Sequence, residues 1–490
     1  MIKNHMGFFA RIFGSSREST NRLPQVFFTN TLSGRKEIFV SQTPRLALIY
    51  SCGPTVYGRV HIGNLRAYLF SDTIARVLTA AGYRVQRVMN ITDVGHLVGD
   101  GDNGEDKMAV GAAKERTTPE AIAIRYTKLF IEDIEELNFD IGAILFPRAT
   151  EYINEQIALA KTLEEKGYTY RLPDGLYFNT QEFSGYGKLG GLSQMKLEAG
   201  ARIKVVEGKR HPADFVLWRA AKPEDLQQWD SPWGRGNPGW HIECSAMARA
   251  LLGQEIDIHT GGEDLSQIHH NNEIAQSEAA SGRPFVHYWM HNAFITMKGE
   301  KISKSLGNVV YLSDIVTKGF HPLSLRYFFL QAHYRTPLSF SWDALTGAAS
   351  ALDRIWKISI EIAEESRRKS APSEARERFL GVMRDDLGTP QALSVLWDSL
   401  KSEEYTAKEK WGLLEDAEAH LGLSLLHPPV RNTLLEKDVP KEVQNLLKAR
   451  MAARTAQDFK EADRIRGEIL RRGYRVDDGP DGPMLTQTTL

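Results

Sequence analysis

Cysteine is nearly absent from this chain: 490 residues contain two, Cys52 and Cys244. Two thiols so far apart cannot form a secreted disulfide framework. Their scarcity fits a reducing compartment, and a cytoplasmic location is expected. No run approaches the roughly 18 apolar residues needed to span a bilayer, so a membrane role is not expected. Net charge is also missing. With 61 basic and 62 acidic residues the formal value is −1, so any binding of nucleic acid must rely on a local basic face. No internal repeat or low-complexity tract is present.

Apolar residues make up 42% of the chain, enough at this length for about two to four domains. The start, Met1 to Thr20, carries a short Gly7–Phe13 apolar patch among basic residues. That patch is too short for a secretory core and reads as a loosely ordered extension. Arg45–Ser51 is a short apolar run ending at Gly53-Pro54, which suits a buried strand. Leu65, Tyr68, Leu69, Ile74, Val77, Leu78 and Ala81 then follow helical spacing, with Gly82 as a C-cap. Arg84–Ile91 reads as a second strand. Strand, glycine-containing turn, helix and strand within about fifty residues make a βαβ unit. The expected fold is therefore an open parallel α/β sheet with ligands at the carboxyl ends of its strands.

Between Arg148 and Ser231 the pattern shifts to short Gly- and Tyr-rich segments, an insertion between two halves of the sheet domain. Asp257–His259 and Phe294–Thr296 are expected to resume the sheet. Trp342 to Leu425 is helical and charged, which suits a helix bundle. A boundary at His427-Pro-Pro429 precedes a basic segment, Lys441 to Arg472, with nine Lys and Arg against five Asp and Glu. Leu446, Leu447, Met451, Ala462, Ile465 and Ile469 form apolar stripes there.

Three clusters can carry chemistry. His61-Ile-Gly-Asn64 lies between a strand and a helix start, where backbone amides and the helix dipole favour phosphate. Gly63 permits close approach, while His61 and Asn64 can donate hydrogen bonds to phosphate oxygens. Lys301-Ile-Ser-Lys-Ser305 places two lysines and intervening hydroxyls in a glycine-flanked loop that could close over a polyphosphate. His269-His-Asn-Asn-Glu273 sets a histidine and a glutamate on one helix face. Together with Cys52 and Cys244 they offer two sulfurs, a nitrogen and an oxygen, a set that suits Zn²⁺. Spacing alone does not choose between His269 and His270.

These runs, with Cys52-Gly-Pro-Thr-Val-Tyr57, Pro212-Ala-Asp-Phe-Val-Leu-Trp218, Ser231-Pro-Trp-Gly234 and Pro238-Gly-Trp-His-Ile-Glu-Cys-Ser-Ala-Met247, resemble cysteinyl-tRNA synthetases, class I aminoacyl-tRNA synthetases. The likeness covers Leu46 to Tyr334 closely and the remainder loosely. It implies a Rossmann-like parallel-sheet catalytic domain with an insertion, followed by a helical bundle and a small C-terminal domain. The corresponding division is 1–30 (variable extension), 31–147 (first catalytic half), 148–230 (connective insertion), 231–315 (second half with metal ligands and lysine loop), 316–345 (stem-contact linker), 346–428 (tRNA-binding bundle) and 429–490 (anticodon recognition).

The implied activity is formation of cysteinyl-adenylate from ATP and L-cysteine, then transfer to tRNA(Cys). Cys52, Cys244, His269 and Glu273 would hold one Zn²⁺ per chain, its remaining position taking the substrate thiolate. Trp240 and His259 would line that pocket. His61, Gly63, Asn64, Lys301, Ser303 and Lys304 would bind ATP, which carries Mg²⁺, and His61, Asn64, Lys301 and Lys304 would act in catalysis. A monomer is expected. Several positions depart from the family pattern. Asn64 replaces a histidine, Ile302 a methionine, and Gly95-His96 a pair of acids. In Gln267-Ile-His-His-Asn-Asn-Glu273 a proline and a carboxylate are lost but the proposed ligands are kept. Two other readings share some of these features: a ligase joining cysteine to an amino-sugar in mycothiol synthesis, and a non-catalytic tRNA-binding paralogue. The first lacks the terminal tRNA-reading module; intact lysines and metal ligands argue against the second.

Overall fold

A computed structural model describes residues 23–95, 106–189, 208–297, 299–302, 307–429, 433–434, 439–479 and 482–487. Its central sheet has five strands and is parallel throughout. The strands are β1 (Leu46–Ser51), β2 (Arg84–Met89), β3 (Ile144–Leu145), β4 (Ile256–Gly262) and β5 (Val286–Asn292). The connecting helices that matter for the site are α1 (Ile62–Ala80), α2 (Trp240–Leu252) and α3 (His269–Ser281). From β1 the chain builds outward to β2 and β3, then returns to build β4 and β5 on the other side. That reversal puts the switch point, and hence the ligand crevice, between the carboxyl ends of β1 and β4. Cys52 emerges there, its N–H bonded to the Thr260 carbonyl at 3.2 Å.

Both faces of the sheet are covered, so β1 and β4 are buried along most of their length. Helix α1 is buried on most sides. It ends at Ala80 with Ala81 as the cap; Gly82 follows at φ +93°, a conformation that glycine adopts without strain. One expectation fails. Ile295–Met297 does not continue the central sheet but joins a separate three-stranded sheet with Glu300–Lys301 and Leu338–Phe340. The chain leaves the central sheet because Arg66 of α1 takes the Ala293 and Phe294 carbonyls at 2.9 and 2.8 Å. Strand β5, just before, fills the edge instead.

An antiparallel sheet of Thr169–Leu172, Gly175–Phe178, Phe215–Ala220 and Gly236–Pro238 lies in sequence between the two halves. Its last strand runs almost directly into α2. Four helices follow later: Trp342–Ser366, Glu374–Arg384, Thr389–Lys401 and Ala407–Leu421. They are joined to the sheet domain through Arg326, which is fully buried and donates to the Leu137 and Leu421 carbonyls at 2.7 and 2.6 Å. The C-terminal helices Lys441–Thr455 and Phe459–Arg471 pack with a small sheet on their own core of Val443, Leu447, Ile465, Ile469, Val476 and Leu485. Met451, placed by periodicity on an apolar stripe, is 45% exposed.

Candidate active site

Ligand-type atoms of Cys52, Cys244, His269 and Glu273 lie within 4.8 Å of one another. Three separate elements deliver them. Cys52 follows β1, Cys244 sits in the middle of α2, and His269 and Glu273 occupy successive turns of α3. Glu273 is the hub: Oε1 lies 3.1 Å from His269 Nε2 and 3.9 Å from Cys52 Sγ, while Oε2 lies 3.0 Å from His259 Nε2. A second group, Cys52, His259, His270 and Glu273, meets the same distance limit, so the ambiguity between the paired histidines persists in space.

The cluster is buried and electrostatically tuned. Burial opposes the Glu273 carboxylate, but His259 and His269 outweigh it and hold its pKa at about 2. For His269, burial works against the imidazolium; the Glu273 charge and the Cys244 hydrogen bond prevail and raise its pKa to about 10. A hydrogen bond with Cys52 lowers the Cys244 pKa to about 7, whereas burial pushes Cys52 well up. Burial also drives His270 well below its ordinary value and His291 down to about 3. Without a metal the Glu273 carboxylate is held against the His269 imidazolium, and a bound cation would take the place of that proton while favouring the thiolate forms of the two cysteines.

Several partners were not legible as site residues in the sequence. His241 Nδ1 lies 2.9 Å from His269 Nδ1 and turns the other ring nitrogen toward Glu273. His291 does the same for His270 at 2.7 Å and is in turn held by Thr31 Oγ1 at 2.8 Å. Asn90 Oδ1 accepts from Gly53 N–H at 2.9 Å and faces Cys244 Sγ at 3.7 Å. Trp289 stacks on His259 at 4.6 Å. The signal for His241 was present, since it adjoins Trp240 in a run already tied to the site. His291 and Asn90 carried none. Of the two proposed pocket residues, Trp240 stacks on His269 at 4.4 Å and His259 is fully buried against Glu273.

His61 and Asn64 form a reciprocal cap on α1. His61 Nδ1 accepts from Gly63 and Asn64 N–H at 3.1 and 3.4 Å, and Asn64 Oδ1 accepts from His61 N–H at 3.2 Å. Because Nδ1 accepts, the ring proton of neutral His61 sits on Nε2, leaving that nitrogen as a donor. Lys301 is exposed, 3.0 Å from Asp264 Oδ2 and 3.8 Å from the Phe294 ring centre. Ile302 is buried, consistent with a packing role. Ser303, Lys304 and His96 lie outside the described residues. A Cβ at Gly95 would fall 1.7 Å from Asp106 Oδ2, so the Asp106 carboxylate occupies the space that a side chain at 95 would need.

Residues 38–350 match the family described as tRNA synthetases class I (C) catalytic domain, and 436–482 match the cysteinyl-tRNA ligase anticodon binding domain. The chain belongs to the cysteine–tRNA ligase family. A cysteine–tRNA ligase of Burkholderia lata is 45% identical over 442 residues, covering 89% of this chain and 92% of the relative. One from Treponema denticola is 40% identical over 478 residues, covering 92% and 97%. Among solved structures, Mycobacterium tuberculosis methionyl-tRNA synthetase with methionyl-adenylate has TM-score 0.52 at 16% identity over 78% of this chain and 92% of that one. A ternary LeuRS–tRNA–LeuAMS complex from Agrobacterium radiobacter reaches 0.58 at 12% identity, covering 80% and 86%. These two share the Rossmann-like fold of class I synthetases. Among the described residues no helix is long and apolar enough to cross a membrane.

Proposed function

We propose that the crevice between β1 and β4 activates L-cysteine with ATP and transfers it to tRNA(Cys), with Cys52, Cys244, His269 and Glu273 holding one Zn²⁺. The observation that carries this reading is the convergence of two thiols, an imidazole and a carboxylate within 4.8 Å in a buried pocket. Such a donor set fits zinc by softness and number. This set is favoured over the one with His259 and His270 because it uses both cysteines, one of them poised to ionise near neutral pH. His241 supplies the outer hydrogen bond that fixes the orientation of the His269 imidazole. When bound, zinc supplies a soft Lewis acid that prefers a thiolate to a hydroxyl.

Shape alone rejects an isostere weakly, so the chemistry of the pocket must separate cysteine from serine. Trp240 and His259 close its walls and exclude water. Adenylate formation needs no protein nucleophile, because the amino-acid carboxylate attacks the α-phosphorus and pyrophosphate leaves. The protein positions the reactants and offsets developing charge. The α1 N-terminus, with no acidic residue in its first turn, faces phosphate favourably. His61 donates from Nε2, Gly63 and Asn64 complete the cradle, Lys301 and Lys304 neutralise the polyphosphate with Mg²⁺, and the Ser303 hydroxyl adds a hydrogen bond. The helix bundle and the C-terminal domain bind the tRNA body and anticodon. The match over residues 436–482 supports tRNA over an amino-sugar as acceptor. We read the protein as a cytoplasmic monomer.

Cysteine-dependent ATP–pyrophosphate exchange, followed by charging of tRNA, tests the reading, with serine and a zinc chelator as controls. Exchange with cysteine alone and transfer to tRNA are expected. Absence of exchange overturns the enzyme assignment; exchange without charging overturns tRNA as acceptor. Cys244→Ser is expected to impair cysteine activation far more than ATP binding.

A further inference from the structure

Between the helices Pro322–Leu330, Trp342–Ser366 and Thr389–Lys401 lies a cleft of about 440 Å³, within the size range of small-ligand sites. Trp397 forms one wall. Its indole N–H donates to Tyr327 Oη at 2.8 Å, and Tyr327 is buried, so the ring is held in a single orientation before any ligand arrives. Two exposed cations converge on that ring, Arg354 at 5.5 Å and Lys401 at 4.8 Å from its centre. Neither forms an ion pair among the described residues; Arg354 Nε donates only to the Ser350 carbonyl at 3.3 Å. The lining contains no carboxylate; Gln331 and Ser394 add neutral polar groups.

Cations on an exposed helix surface usually find a carboxylate or stand apart in water. Here two share one aromatic ring beside an open cavity, the ring quadrupole serving in place of a counter-ion. An arriving phosphate would draw both off the ring and free its face for stacking. We propose that this cleft binds one nucleotide unit, its phosphate between Arg354 and Lys401 and its base against Trp397. The unit comes either from the body of the tRNA, in which case the site deepens the tRNA-ligase reading and rests on it, or from a free nucleotide.

The test uses the full-length protein, the variant Arg354→Gln with Lys401→Gln, and separately Trp397→Leu. Uncharged tRNA is titrated at several salt concentrations, and UMP and AMP are titrated by calorimetry. Only binding that the double variant removes counts toward the cleft. If the unit belongs to tRNA, the double variant weakens tRNA binding about tenfold and lowers the salt slope by about two. Trp397→Leu weakens it about fivefold or more, with the salt slope unchanged. If the source is a free nucleotide, UMP or AMP binding disappears while tRNA affinity stays. No change in either titration overturns the proposal. Cysteine-dependent exchange in the wild type tests the ligase reading independently, and in the variants it is expected within about twofold of wild type because no cleft residue belongs to the adenylation site.

Discussion

Arg326 Nη2 lies 2.7 Å from Asp72 Oδ2, and both side chains are buried. Asp72 also pairs with Arg76 at 2.7 Å and Arg87 at 3.0 Å, so one carboxylate on α1 holds three guanidiniums. The same Arg326 grips the last turn of Ala407–Leu421, so this cluster fastens the helix bundle to the sheet domain. Burial alone would raise the Asp72 pKa; the three arginines outweigh it and hold it well below the usual carboxylate range.

Asp72→Asn is expected to destabilise the protein by about 3–5 kcal/mol, because it strands buried positive charge. Urea unfolding at pH 7 measures this. Since the folded pKa is depressed, the contribution is fully present above the unfolded value of about 3.9 and is lost as pH falls through the folded value. The wild-type midpoint should therefore decline below about pH 4. If the variant shows the same acid slope, Asp72 is not its source.

Gly53→Ala should be severe despite its size. A Cβ there meets the Asn90 carbonyl oxygen at 1.7 Å, so the loop carrying Cys52 must shift. A displacement near 1 Å at reacting groups costs about a hundredfold. Exchange kinetics should register that loss, accompanied by reduced zinc content; wild-type exchange would mean that the loop tolerates the shift.

His241→Phe removes the hydrogen bond that orients His269 while retaining an aromatic ring. Loss of an outer-shell partner typically weakens metal binding about 10–100-fold. Chelator competition measures this without reference to activity. Unchanged zinc retention would refute the orienting role.

Asn64→Ala breaks the reciprocal cap at the start of α1. A loss of about 0.5–2 kcal/mol is expected in thermal unfolding, together with a raised KM for ATP and an unchanged KM for cysteine. A matching rise in both KM values would point instead to general loosening.

Residues with distinctive chemistry were the ones visible in sequence. Cys52, Cys244, His269 and Glu273 stood out because thiols are scarce here and i, i+4 spacing shares a helix face; the structure brings all four together. His291 and Asn90 did not stand out, because their importance lies in the ring or thiol they face, and no sequence interval encodes that contact. The βαβ start followed from periodicity, the insertion from a shift to short Gly- and Tyr-rich segments, and the bundle from a long helical, charged stretch. Strand β5 was misplaced by a few residues because the event that ends the sheet is non-local: Arg66 captures carbonyls more than two hundred positions downstream. The choice between His269 and His270 remained open for a related reason. Both are buried on α3, and both point a ring nitrogen toward Glu273.

The insertion between the two sheet halves has a consequence for biogenesis. Cys52 leaves the ribosome about 190 residues ahead of Cys244, and the other donors follow later still. At synthesis rates of about 5–20 residues per second, that interval is roughly 10–40 s. On the proposed zinc set, the first thiol is without its companion ligands for that time, so a reducing environment would protect that sulfur until they emerge.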